Sequence, residues 1–169
     1  MHVAATRDEA IENSAAVSAL WYVNAAPRVF KVPRRIWYDM IKAGLHPNAA
    51  RDTVAVQNLD PNETRIMPDD PEVLVLLKRM ANGEAIGARE AHEALEKLDC
   101  VIIGDPDHCA TKLEGYEAIG ADRMMCLMQF GSIAHEAVLR SLDLAGRHLI
   151  PAFEKRPLHP AAADLRTVA

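Results

Sequence analysis

Two short apolar runs, Cys100-Val101-Ile102-Ile103 and Met124 to Gln129, lack the polar alternation of a half-wetted strand. Continuous runs of this kind are the pattern of strands covered on both faces. Between them the apolar positions switch to helical spacing, with Cys109, Leu113 and Tyr116 at i, i+4 and i+7. The punctuation agrees with that switch. Gly104 permits a turn, Asp105 is a helix N-cap, Pro106 suits the first helical position, and Gly120 suits a left-handed C′ residue. The pattern predicts adjacent parallel strands at Val101–Ile103 and Met124–Gln129, joined by a helix from Pro106 to Ile119. After them Ser132 caps a last helix, with a stripe of Val138, Leu142, Ala145 and Leu149 that Pro151 ends.

Upstream, Thr6-Arg7-Asp8-Glu9 reads as a capping box. It opens a helix expected to run from Arg7 to about Asn24, small or apolar around most of its circumference. His2 to Ala5 supplies one strand's worth of residues before it. Prolines punctuate 27–70, where only Arg35 to Ala43 reads as helical, with Ile36, Met40 and Ala43 in phase. A further helix begins near Pro71 with Asp70 as its N-cap and Val73, Leu76, Leu77 and Met80 as its stripe. Another covers Ala88 to Leu98. The division expected is a body over 1–153, with an irregular insertion at 27–70, and a C-terminal tail over 154–169.

Composition narrows the classes of function. The 169 residues can bury a core, and a formal net charge of −5 argues against a nucleic-acid binder. No apolar stretch reaches the roughly 18 residues of a membrane span. The opening MHVAATRDEA has neither a basic nor an apolar signal-peptide region. Three cysteines without motif spacing fit reduced thiols, so a cytoplasmic location is expected.

Candidate chemistry sits at the ends of the predicted strands. Gly104 and Asp105 lie where a strand opens onto helix amides, which favours an anion such as a phosphate. The same residues also read as a well-built turn with a cap. Gln129, Phe130 and Gly131 hold the equivalent place after the second strand. They fit either the lining of a site for a flat heteroaromatic ligand or a plain cover over the strand ends. Cys100, Cys109, Cys126 and His108 match no zinc spacing, so no metal is expected. His135 and His148 are too far apart along their helix to share a ligand. Arg28, Lys31, Arg34 and Arg35 read as a solvated surface, with a clamp on an anionic cofactor as the alternative.

Four segments together resemble the carboxy-terminal end of the luciferase-like, flavin-dependent monooxygenases. They are Ile103-Gly104-Asp105-Pro106, Lys112-Leu113-Glu114-Gly115-Tyr116, Gly120-Ala121-Asp122 and Leu149-Ile150-Pro151. His2 to Ala10 is similar to an earlier strand-to-helix step of that family. The resemblance implies an α/β fold, part of a TIM-like (β/α)8 barrel, and reduced FMN as cofactor, with a deazaflavin in some branches. It also implies dioxygen and an organic small molecule as substrates.

Such a barrel needs about 250 residues, so the chain would correspond to its last βα units, and the family's catalytic groups would lie in the other half. Gly104, Asp105, Gln129, Phe130 and Gly131 are the positions the resemblance offers as cofactor lining. Exposed strand edges carrying Val3, Met125 and Leu127 predict a homodimer or a complementary barrel half as partner. A non-catalytic half-barrel assembly module and a small phosphate-binding α/β domain are the rival readings.

Overall fold

The structure is a computed structural model that describes residues 1–45 and 64–154. The middle of the expected insertion and the tail from 155 onward lie outside the described residues. Helices dominate, and the described residues hold one two-stranded parallel sheet. Its strands are β1 (His2–Val3) and β2 (Ile103–Gly104), with His2 beside Ile103 and Val3 beside Gly104. The α/β class with parallel pairing is therefore present on a small scale. A closed barrel is not what the described residues form.

Neighbouring strand residues point to opposite faces, and both faces are covered. Ala4 and Ile103 join a large core built from α1 (Arg7–Glu12), α2 (Ala15–Phe30), α4 (Glu72–Ala81) and α5 (Ala88–Glu96). Val3 and Ile102 join a smaller core with Cys109 of α6 (Pro106–Ala118) and with Ala145 and Leu149. The last two lie in a π-helical turn, Ala145–Leu149, between α7 (His135–Leu144) and α8 (Ile150–Glu154). α3 (Arg34–Leu45) packs on α4.

The pairing of Val101–Ile103 with Met124–Gln129 is corrected. Val101 is still in a turn, donating to Leu98, and the partner of β2 is β1. Residues 124–129 are neither strand nor helix. The Leu127 carbonyl accepts the Met1 ammonium at 2.7 Å. The outer amide of β1, on Val3, donates to the Ser141 hydroxyl of α7 at 2.7 Å. A helix side chain has taken the place of a ladder bond, and Val3 is buried rather than exposed.

Helix boundaries moved for local reasons. The expected single helix from Arg7 breaks at Ser14, which is left-handed (φ 53°), beside Asn13, whose amide meets the His2 ring at 3.1 Å. α2 then runs through Pro27 to Phe30, so the insertion is more regular than its prolines implied. In α3 the inward residues are Trp37, Tyr38 and Ile41, while Met40 faces out. α7 is entered through Ala134 rather than Ser132, and Leu142 is half-exposed. Pro151 does not end the last helix. The π turn widens the coil just before it, with the Ile150 amide reaching back to Ala145, which relieves the proline ring's clash with the preceding turn.

Candidate functional site

The Gly104–Asp105–Pro106 turn folds as its residues dictate. The Asp105 carboxylate accepts the His108 amide at 2.9 Å, and Pro106 fills the first turn of α6. The carboxylate is thus spent on capping at the place where an anion would meet the helix amides. Gly104 is buried, and a Cβ built on it would lie 2.8 Å from Cδ2 of His108. At the other turn Gln129 is exposed, but Phe130 is only 8% exposed and belongs to the large core. Gly131 has φ +60°, and a Cβ there would meet Ser18 at 2.6 Å from its Cβ and 2.8 Å from its Cα.

These positions fit a flavin poorly. A ring that stacks on a cofactor needs a free face, and the Phe130 ring is enclosed by protein. The close approach each glycine allows is taken up by His108 or by Ser18. Asp105, Gln129 and Gly131 keep surface that a ligand could reach.

Charged chemistry gathers elsewhere, between α3 and α4. A cleft of about 350 Å³ is lined by Arg35, Lys42, Arg65 and Lys78, by Asp39, Asp69 and Asp70, and by Tyr38, Met67 and Leu74. Asp70, expected to cap α4, is instead turned inward with its side chain 1% exposed. Its Oδ2 accepts the Met67 amide at 2.8 Å and Lys78 Nζ at 2.6 Å. Lys78 also donates to the Arg65 carbonyl at 2.9 Å.

Burial pushes the Asp70 carboxyl up. The Lys78 hydrogen bond, the Met67 amide and the charges of Lys78 and Lys42 outweigh that and hold it below its ordinary value. Lys42 pairs with Asp69 at 2.8 Å and reaches Asp70 Oδ1 at 3.5 Å. The bond to Asp69 holds the Lys42 ammonium above its ordinary value. Tyr38 is buried, its hydroxyl donates to Asn24 at 2.8 Å, and burial raises its pKa. Arg35 belongs to the basic cluster read from the sequence and pairs with Asp39 at 3.3 Å.

Sequence reasoning passed over this cleft. Its one visible trace is Lys78, four residues after Leu74 on a face that is otherwise apolar. Burying a cation there requires a carboxylate to meet it.

Two imidazoles, His2 and His92, are buried, and a third, His108, is partly buried. His2 and His92 are almost fully enclosed, and His2 Nδ1, His92 Nε2 and His108 Nε2 have no hydrogen-bond partner. Burial lowers the His2 pKa, helped by the Met1 charge and opposed by Glu9. Burial also lowers that of His92; Glu96 opposes it, while Arg7, His108 and Arg89 add to it. Cys109 is buried, and burial pushes its thiol up to about 12, which leaves it inert as a nucleophile. Among the described residues no cluster of three or more His, Cys, Asp or Glu could hold a metal, and no helix is long and apolar enough to cross a membrane. No family model, curated protein or solved structure matches this chain.

Proposed function

We propose that this chain is a barrel module of the luciferase-like, flavin-dependent monooxygenase type, working in the cytoplasm. In this reading it contributes βα units to a site for reduced FMN, or a deazaflavin, where dioxygen and an organic substrate react. What supports the reading is the sheet. β1 and β2 lie side by side in parallel, and each runs directly into a capped helix, at Thr6 and at Asp105. Two helix N-termini thus open at the same end of a parallel pair, the end at which α/β folds bind ligands.

The flavin contacts proposed for this chain reduce to the surface of Asp105, Gln129 and Gly131. The module alone is therefore expected to hold flavin weakly and to do its work in an assembly. Apolar side chains left outside favour association: Met125 is 100% exposed and Leu127 50%. The partner is a second copy or the complementary part of a barrel.

FMN titration followed by flavin absorbance, with sedimentation of the same sample, tests the proposal. Weak or absent saturation by FMN together with a dimer at low micromolar chain is the expected result. A stoichiometric site tighter than about 1 μM, or a sharp monomer, would overturn the module reading.

A further inference from the structure

Between Glu12 and Asp39 the sequence contains no Asp or Glu, although the whole chain carries a formal net charge of −5. Arg28, Lys31, Arg34 and Arg35 all fall in that stretch. Arg35 is answered by Asp39, while no carboxylate among the described residues pairs with Arg28, Lys31 or Arg34. The fold brings these cations to one corner. α2 ends at Phe30, Lys31 turns the chain with a left-handed φ of 53°, and α3 begins at Arg34. Apolar side chains stand out at the same corner. Val29 is 73% exposed and Phe30 61%, with the Phe30 ring stacked on Trp37 of α3. Further back on α2, Trp21 and Tyr22 are exposed too. Tyr22 and Val29 stand at i and i+7, as do Trp21 and Arg28, so each pair shares a helix face. α2 thus buries Ala16, Leu20 and Ala26 in the core and turns a second apolar face, edged by cations, toward water.

We propose that the α2–α3 corner docks on the surface of a bilayer carrying anionic lipids. Val29 and Phe30 enter the boundary between headgroups and acyl chains, and Arg28, Lys31 and Arg34 meet the anionic headgroups. Trp21 and Tyr22 lie along that boundary, where rings with one polar atom are well placed. The helices lie on the membrane and do not cross it. Charge selects this cover over a second copy, because a two-fold contact sets a patch against itself and brings the same cations together. None of this depends on the flavin reading, because the corner shares no residue with the turns at Gly104 and Gln129.

Cosedimentation of the full chain with vesicles tests it, comparing phosphatidylcholine alone with phosphatidylcholine containing phosphatidylserine. The anionic vesicles should bind at least about tenfold better than the neutral ones, and added salt should weaken them. Replacing both cations, Arg28→Gln with Lys31→Gln, should lower binding by about 25-fold, at roughly fivefold per charge. Val29→Glu should lower it by at least about tenfold. Both variants should keep the native thermal melt, since the replaced side chains are exposed. No binding, equal binding to the two vesicles, or unaffected variants would overturn the proposal. So would binding to polyglutamate as tight as to the anionic vesicles, which would make the corner a site for acidic chains. A dimer that Val29→Glu splits into monomers would make it a contact between copies and overturn it too. If a variant does not fold, the two vesicles and the salt dependence on the native chain decide alone.

Discussion

The Val3 amide donates to the Ser141 hydroxyl at 2.7 Å, across 138 residues of sequence. The bond closes the free edge of β1 with a helix side chain, and both residues are buried. Removing the hydroxyl leaves the Val3 N–H enclosed without an acceptor. Ser141→Ala should therefore destabilise the fold by about 1–3 kcal/mol, read from urea unfolding. A loss indistinguishable from zero would mean that the amide finds another acceptor and the edge is not held by this bond.

Lys112 closes the other end of the same motif. Its ammonium donates to the carbonyls of Glu96 and Leu98 at 2.6 Å and of Val101 at 2.8 Å, gathering the chain between α5 and β2 onto α6. Lys112→Met keeps most of the volume and removes the donor from all three. A loss of about 2–3 kcal/mol is expected, charged hydrogen bonds being the stronger kind. Amide exchange should rise first in residues 97–102. Uniform exchange across the protein would show that Lys112 contributes no local anchoring.

Local punctuation was the legible part of this chain. Thr6 accepts the Glu9 amide at 3.1 Å as a capping box requires, although Glu9 reaches back to the Ala5 amide rather than to that of Thr6. Asp105 and Pro106 open α6 as read. Gly120, at φ +92°, closes it with bonds from its own amide to Glu117 and from Ala121 to Tyr116, a Schellman ending. Each of these depends on neighbours within six residues.

What escaped the reading depends on distant partners. Nothing near Val3 announces Ser141, so the edge expected to lie open went to a hydroxyl. Nothing near Asp70 separates a cap from a buried counter-ion except Lys78, one turn after Leu74 on an otherwise apolar face. For the candidate site, residue types at Phe130 and Gly131 fit a ligand lining or a packed corner equally well. Phe130 packs into the core, while Gly131 lies against Ser18 and stays exposed.

The two enclosed histidines make stability depend on pH in a definite direction. His2 and His92 both titrate below the ordinary value of 6.5, burial being the main cause. Above that value they are neutral in folded and unfolded chains alike. As pH falls through it, the unfolded chain takes up protons first, so stability drops, and the loss is complete below the lowered native values. Asp70 acts in a separate window, since its stabilisation is lost only as pH falls from about its ordinary 3.8 through its lower native value. The urea midpoint should therefore decline between about pH 7 and pH 5. His92→Leu should flatten part of that decline, and an unchanged profile would remove His92 as a contributor.

Gly104 and Gly131 are both crowded, but by different atoms, and that difference predicts opposite responses to a second substitution. A methyl at Gly104 would meet the His108 ring, 2.8 Å from Cδ2 and 3.2 Å from Cγ, while the backbone there is not left-handed. Gly104→Ala should destabilise through a side-chain clash alone, by about 1–3 kcal/mol. Trimming the ring with His108→Ala should return most of that loss. The two changes should thus be non-additive by more than about 0.5 kcal/mol, as residues in contact are. At Gly131 a methyl would meet the Ser18 backbone, 2.8 Å from Cα and 2.9 Å from the carbonyl oxygen, and φ is +60°. Main chain cannot be trimmed, and an L side chain is strained at that φ. Gly131→Ala should therefore cost at least as much as Gly104→Ala, and Ser18→Ala or Ser18→Gly should not restore it. Urea unfolding of the two double-mutant cycles checks both. Rescue at Gly131 would show that α2 can shift away from the turn, and absence of rescue at Gly104 would show that something other than His108 makes that glycine necessary.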